Sequence, residues 1–103
     1  MPIWKPVLER ESNPVNSIPV VAVILNWKRP ADTLACLRAL GDQLPVVVVD
    51  NGSGDDSLEL IRSAKPDVPL LVLGENRGYT GGNNAGIQWA LAQNCEWILL
   101  LND

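Results

Sequence analysis

The chain has 103 residues, 47% of them apolar and 19% charged, and twelve Asp+Glu against eight Lys+Arg set its net charge at −4. A chain of this size buries about 60–68% of the surface its unfolded form exposes, which supports one modest core and excludes two full domains. The acidic balance offers no sequence-wide basic field, which excludes nucleic acid and anionic lipid as main partners.

Residues 1–18 carry Pro2, Pro6 and Pro14 among mixed charges without a sustained period. They read as an irregular lead-in, with Trp4 expected to pack on the body. From residue 19 to 103 the punctuation is regular. Pro19–Leu25 is a β-branched run without polar alternation, the pattern of a strand covered on both faces. Pro30–Leu40 follows as a helix, with Leu34, Leu37 and Leu40 on one stripe and Gly41 as its stop. Val46–Val49 repeats the strand character. A second helix is expected over about Asp55–Lys65, capped by Ser53, with Leu58 and Ile61 facing the sheet. Leu70–Leu73 is the third strand. A third helix, about Gly82–Asn94, is expected to bury Ile87, Ala90 and Leu91, with Gly86 and Ala90 allowing close approach to the sheet. Trp97–Leu101 is the last strand. The order β-α-β-α-β-α-β implies an α/β fold with a doubly wound, mostly parallel sheet, in one domain spanning 19–103.

The longest apolar run, Ile18–Leu25, contains Pro19 and falls short of the roughly 20 residues a bilayer span needs. The basic pair Lys28-Arg29 follows that run, whereas a signal peptide carries its charge in front. The default expectation is a cytoplasmic protein. There is no His, so acid–base work or metal binding falls to carboxylates. Cys36 and Cys95 form no CxxC pair and fall in segments that read as helical or at a helix end, which suits neutral, core-facing thiols in a reducing compartment.

In an open parallel sheet, ligands bind beyond the carboxyl ends of the strands. Here those exits are polar: Asn26-Trp27-Lys28-Arg29, Asp50-Asn51-Gly52-Ser53-Gly54, Glu75 through Asn84, and Asn102-Asp103. The first exit has no glycine, which excludes the GxGxxG dinucleotide turn and the GxxxxGK[ST] phosphate loop. Asn26 and Gly74 stand where a phospho-receiver domain needs acids. Asp50 closes a buried strand, where it either meets a base or ribose or caps the NGSG turn through an Asx bond. Gly78, Gly81 and Gly82 precede a helix and Arg77 adds a fixed positive charge, a combination suited to phosphates; a long flexible loop is the alternative. Asn83 and Asn84 suit a helix cap. Asp103 is placed either to hold a divalent metal or simply to end a strand.

Together these segments resemble the N-terminal half of family 2 glycosyltransferases of the GT-A, Rossmann-like fold, particularly the rhamnosyltransferase-like branch. The residues that carry the resemblance are Val20–Trp27, Val47–Ser53, Glu75–Gly86 and Leu99–Asp103. The resemblance implies an enzyme that moves a sugar from a UDP- or dTDP-linked donor to an acceptor hydroxyl, with Mg²⁺ or Mn²⁺. By position, Asn26, Trp27, Asp50 and Asn51 resemble the groups around base and ribose, and Arg77, Gly78 and Asn83 the wall beside the phosphates. Asp103 resembles the middle member of the metal-binding DxD motif. The acceptor, a glycan or a lipid-linked glycan, and the catalytic base belong to the family's second half; a lipid-linked acceptor would place the protein at the inner face of a membrane.

No catalytic residue is therefore expected within this chain. It is expected to bind the donor nucleotide without turning it over, and to self-associate through an uncovered strand edge or face. The competing expectation is a non-catalytic α/β interaction module that keeps only the fold.

Overall fold

The structure is a computed structural model and describes residues 18–102. The lead-in, Trp4 and Asp103 lie outside the described residues. Seven elements alternate along the chain: β1 (Ile18–Asn26), α1 (Pro30–Leu40), β2 (Val46–Asp50), α2 (Ser57–Ala64), β3 (Leu70–Val72), α3 (Gly78–Leu91) and β4 (Cys95–Asn102). The four strands form one all-parallel sheet in the order β3-β2-β1-β4, the expected doubly wound α/β fold.

Successive side chains on a strand point to opposite faces, so one apolar run serves two cores. Ala22 and Ile24 of β1 with Val46 and Val48 of β2 pack against Leu37 of α1 and Ile61 of α2. Val21, Val23, Val47 and Val49 face the other way, onto Ala90 of α3. The split follows from handedness. The chain moves outward from β1 through β2 to β3 with its helices on one face, then reverses past β1 to β4, which sends α3 to the opposite face. That reversal opens a crevice at the carboxyl ends of β1 and β4, the topological switch point.

Only the two inner strands are covered on both faces. β3 is three residues long with Val72 exposed, and β4 leaves Trp97, Leu99 and Leu100 exposed at 70%, 41% and 39%. The apolar runs of β3 and β4 read like those of strands covered on both faces, yet these edges stay partly exposed, because α1 and α2 sit over the inner strands and β3 and no described element flanks the outer side of β4. No helix among the described residues is long and apolar enough to cross a membrane.

Three local expectations are corrected. α2 begins at Ser57, two residues late, with Asp56 at the cap position. Ser53 is occupied elsewhere, and Asp55 instead accepts the Ser57 N–H at 2.9 Å. Its interaction with Ser57 holds the exposed Asp55 carboxyl below its ordinary value. α3 begins at Gly78, so the glycine-rich exit is the first turn of a helix and the loop before it is short. Its buried stripe is Gly82, Asn83, Gly86 and Ala90, while Leu91 is 54% exposed and Ile87 only half-buried. The helix lies so close to the sheet that a Cβ on Gly86 would overlap Val23 Cγ1 and meet Val49 Cγ2 at 3.0 Å. Cys95 opens β4 rather than ending a helix; neither cysteine is in a disulfide, both are half-buried, and Cys95 Sγ reaches Ala90 O at 3.3 Å.

Candidate functional site

Parallel register sets Asn26 at the end of β1 beside Asp50 at the end of β2, and their side chains found a buried polar cluster. Asn26 Nδ2 donates to Asp50 Oδ1 at 3.0 Å, and Asn26 Oδ1 accepts the Thr33 hydroxyl of α1 at 2.7 Å. Ser53 donates its hydroxyl to Asp50 Oδ1 at 2.7 Å and its N–H to Oδ2 at 3.3 Å. Its Oγ also accepts the Lys28 N–H at 2.9 Å. Asn26 and Thr33 are fully buried, and Asp50 and Ser53 are each 4% exposed. Polar groups are stable at such depth only when each is paired, and here the pairing is internal. Both oxygens of Asp50 are engaged by the turn and by Asn26, so the cluster forms the floor of the exits and presents little to solvent.

Above that floor the backbone bends sharply. Lys28 adopts a φ of 59°, a left-handed conformation uncommon outside glycine, held by its bond to Ser53. The bend leaves Trp27 46% exposed at the β1 exit, with Lys28 Nζ 4.9 Å from the ring centroid. An exposed indole beside a cation is a stacking surface for a flat ring.

The second and third exits are joined into one wall. Asn51, 3% exposed, accepts the Arg77 N–H at 3.0 Å through Oδ1. Its Nδ2 donates to Gly78 O at 3.1 Å and Asn76 Oδ1 at 3.3 Å. Gly52, at φ 72°, lies so tightly against Glu75 and Asn76 that a Cβ would stand 2.6 Å from Asn76 N. Asn76 Oδ1 accepts the Gly78 N–H at 2.6 Å. Arg77 occupies the cap position of α3, makes no side-chain cap bond and is exposed. The first turn of a helix has N–H groups without intrahelical partners and a partial positive charge, so this corner of the crevice attracts anions.

Asn83 is the unresolved member of the wall. It is 3% exposed on the sheet-facing stripe of α3, beside Gly82, whose Cβ would meet Leu25 Cδ1 at 2.6 Å and Asn51 Nδ2 at 2.9 Å. Neither its Nδ2 nor its Oδ1 has a hydrogen-bond partner. A buried, unpaired carboxamide costs about 1–3 kcal/mol, a debt that a bound polar group would relieve.

All seven proposed contact residues stand at the strand exits or in the first half of α3, in two groups. Asn26, Asp50 and Asn51 are buried and fully bonded, whereas Trp27, Arg77 and Gly78 are exposed, with Asn83 unpaired between them. Thr33, Ser53 and Asn76 were not anticipated as part of this arrangement. Thr33 was hidden by the leucine stripe of its helix, and Ser53 by its resemblance to a helix cap. Among the described residues no group of three carboxylate or thiol side chains could hold a metal ion, and Asp103 lies outside them.

The sequence profile described as Glycosyl transferase family 2 matches residues 21–103, which contain every element of the sheet apart from the first residues of β1. The chain belongs to this family. It is 33% identical over 81 residues to the low-salt glycan biosynthesis hexosyltransferase Agl10 of Haloferax volcanii, covering 78% of this chain and 26% of that protein. It is 35% identical over 91 residues to the galactofuranosyltransferase GlfT1 of Mycobacterium tuberculosis, covering 82% and 30%. With the succinoglycan biosynthesis protein ExoO of Rhizobium meliloti it shares 33% identity over 94 residues, covering 85% and 26%. The chain thus spans less than a third of the length of these curated relatives. No solved structure gives a significant match.

Proposed function

We propose that the chain is the donor-binding part of a glycosyltransferase that takes a sugar from a nucleotide diphosphate, UDP- or dTDP-linked, and passes it to an acceptor hydroxyl. The observation that carries this reading is that the carboxyl edge of the sheet presents an exposed Trp27 at the β1 exit and an exposed Arg77 at the start of α3. A fixed cation and a helix N-terminus suit a diphosphate; an exposed indole suits a base. In this reading Arg77 and the Gly78 turn hold the phosphates, Trp27 stacks on the base and Asn83 pairs with a polar group of the ligand. Asn26 and Asp50 shape the floor beneath.

Proton transfer is a separate requirement. Deprotonating an acceptor hydroxyl needs a carboxylate within reach of it, and Asp50 is committed to Asn26 and Ser53. The chain by itself therefore binds donor and does not turn it over, the remaining chemistry belonging to other parts of a full-length enzyme. The glycan and succinoglycan names of the relatives support a glycan as acceptor; a lipid-linked glycan and a rhamnosyltransferase-like assignment rest on the resemblance of the four motifs alone.

Calorimetric titration of the chain with UDP, dTDP and NAD, each with and without Mn²⁺, tests the proposal. Binding of a pyrimidine diphosphate but not NAD, weakened about tenfold or more in Arg77→Ala, is the expected result. Equal binding of NAD, or no effect of Arg77→Ala, would overturn it.

A further inference from the structure

The relation between the second and third exits carries one inference beyond the assignment of a donor site, and it rests on that assignment. We infer that Asn51 is a positioning residue: its carboxamide straps the β2 exit to the start of α3, fixing Arg77 and Gly78 against the crevice, and it does not itself touch the nucleotide.

Three observations converge on this. The side chain is 3% exposed, as buried as Asn83, but unlike Asn83 none of its polar atoms is left without a partner. Oδ1 accepts the Arg77 N–H, and Nδ2 donates to Gly78 O and Asn76 Oδ1. The adjoining Gly52 is pressed onto Glu75 and Asn76 closely enough to exclude any side chain, so the two exits move as one body. The chemistry also demands an amide. A carboxylate of the same shape could still accept from Arg77, but it would set a charged oxygen against Gly78 O and Asn76 Oδ1, both acceptors. Asn and Asp at this position are therefore not equivalent, although their volumes match.

The strap makes separable demands on two variants. In Asn51→Ala both halves are lost, and the Arg77 amide, which donates to Asn51 Oδ1, should exchange with solvent about tenfold or more faster than in the parent chain, whereas the Gly78 amide keeps Asn76 Oδ1 as its acceptor. In Asn51→Asp the Arg77 amide keeps an acceptor and stays protected, while the contacts to Gly78 O and Asn76 are lost and α3 loosens at its first turn. This second variant retains the side-chain volume and keeps the test available if the alanine variant does not fold.

A double-mutant cycle with Arg77→Ala then separates positioning from contact, with UDP as the probe. Asn51→Ala should weaken UDP binding about tenfold in the parent and clearly less once Arg77 is already alanine, the remainder passing through the Gly78 turn that the strap also holds. Fully additive losses in the cycle would mean that Asn51 does not act through Arg77, and would overturn the inference. Unchanged exchange at the Arg77 amide in Asn51→Ala would overturn it as well, whatever the binding data show. If the parent chain binds no nucleotide diphosphate, the donor-site reading fails with the role assigned to the strap, and the exchange data alone decide whether the strap exists.

Discussion

At the scale of single residues, the exits are a lesson in how polar groups survive burial. Asp50 is a carboxylate at 4% exposure, stabilised by bonds from Asn26 and Ser53. Replacing it with alanine leaves the Asn26 amide and the Ser53 hydroxyl and N–H without that acceptor, and the expected cost is about 2–4 kcal/mol of stability in urea unfolding. A loss under 0.5 kcal/mol would mean that the cluster does not form the floor described above. Of the two roles open to Asp50 on sequence grounds, turn-capping is the one its geometry displays. Sequence alone could not decide between them, because both place an acid at a strand end and differ only in where Ser53 and Asn26 point. Asn83 presents the opposite case: an asparagine near a helix start suits a cap, yet here it lies on the sheet-facing stripe with both polar atoms unpaired.

At the scale of elements, α1 and the inner strands were legible to within a residue or so, since β-branched runs, a first-turn proline and a terminal glycine are strong local signals. The start of α3 was not. Gly78, Gly81 and Gly82 argue against helix on propensity, but they are tolerated because α3 must lie almost on the sheet at Gly82 and Gly86. Tertiary packing overrode the local preference, and the same geometry rotated Leu91 out to solvent. Two alanine substitutions test this directly. Gly86→Ala should destabilise the fold by about 1–3 kcal/mol, because Val23 and Val49 leave no room for a methyl group. Gly74→Ala, with nothing within 4 Å of the added carbon, should be neutral or stabilise by up to about 1 kcal/mol. Thermal melts of the pair check the contrast, and equal effects would show that α3 is not seated as closely as described.

At the scale of the whole molecule, two features face outward: the polar crevice at the strand exits and the apolar flank of β4. Trp97, Leu99 and Leu100 together with an edge that pairs with no other strand among the described residues make self-association the expected behaviour of the isolated chain. Sedimentation at rising concentration should show dimers or larger species that Trp97→Glu reduces; a clean monomer throughout would contradict this. The family and the parallel sheet were both legible in the order of four short motifs. The division of labour among their residues was not, because it depends on contacts between exits that lie far apart in the chain. The most direct test of the central claim is an amide chemical-shift map of the labelled chain titrated with UDP. The predicted result is a continuous patch of perturbation over Trp27, Lys28 and Arg77 through Asn83, with the α1–α2 face unchanged. Perturbations centred on the β4 flank or on the opposite end of the sheet would contradict a donor site at the strand exits.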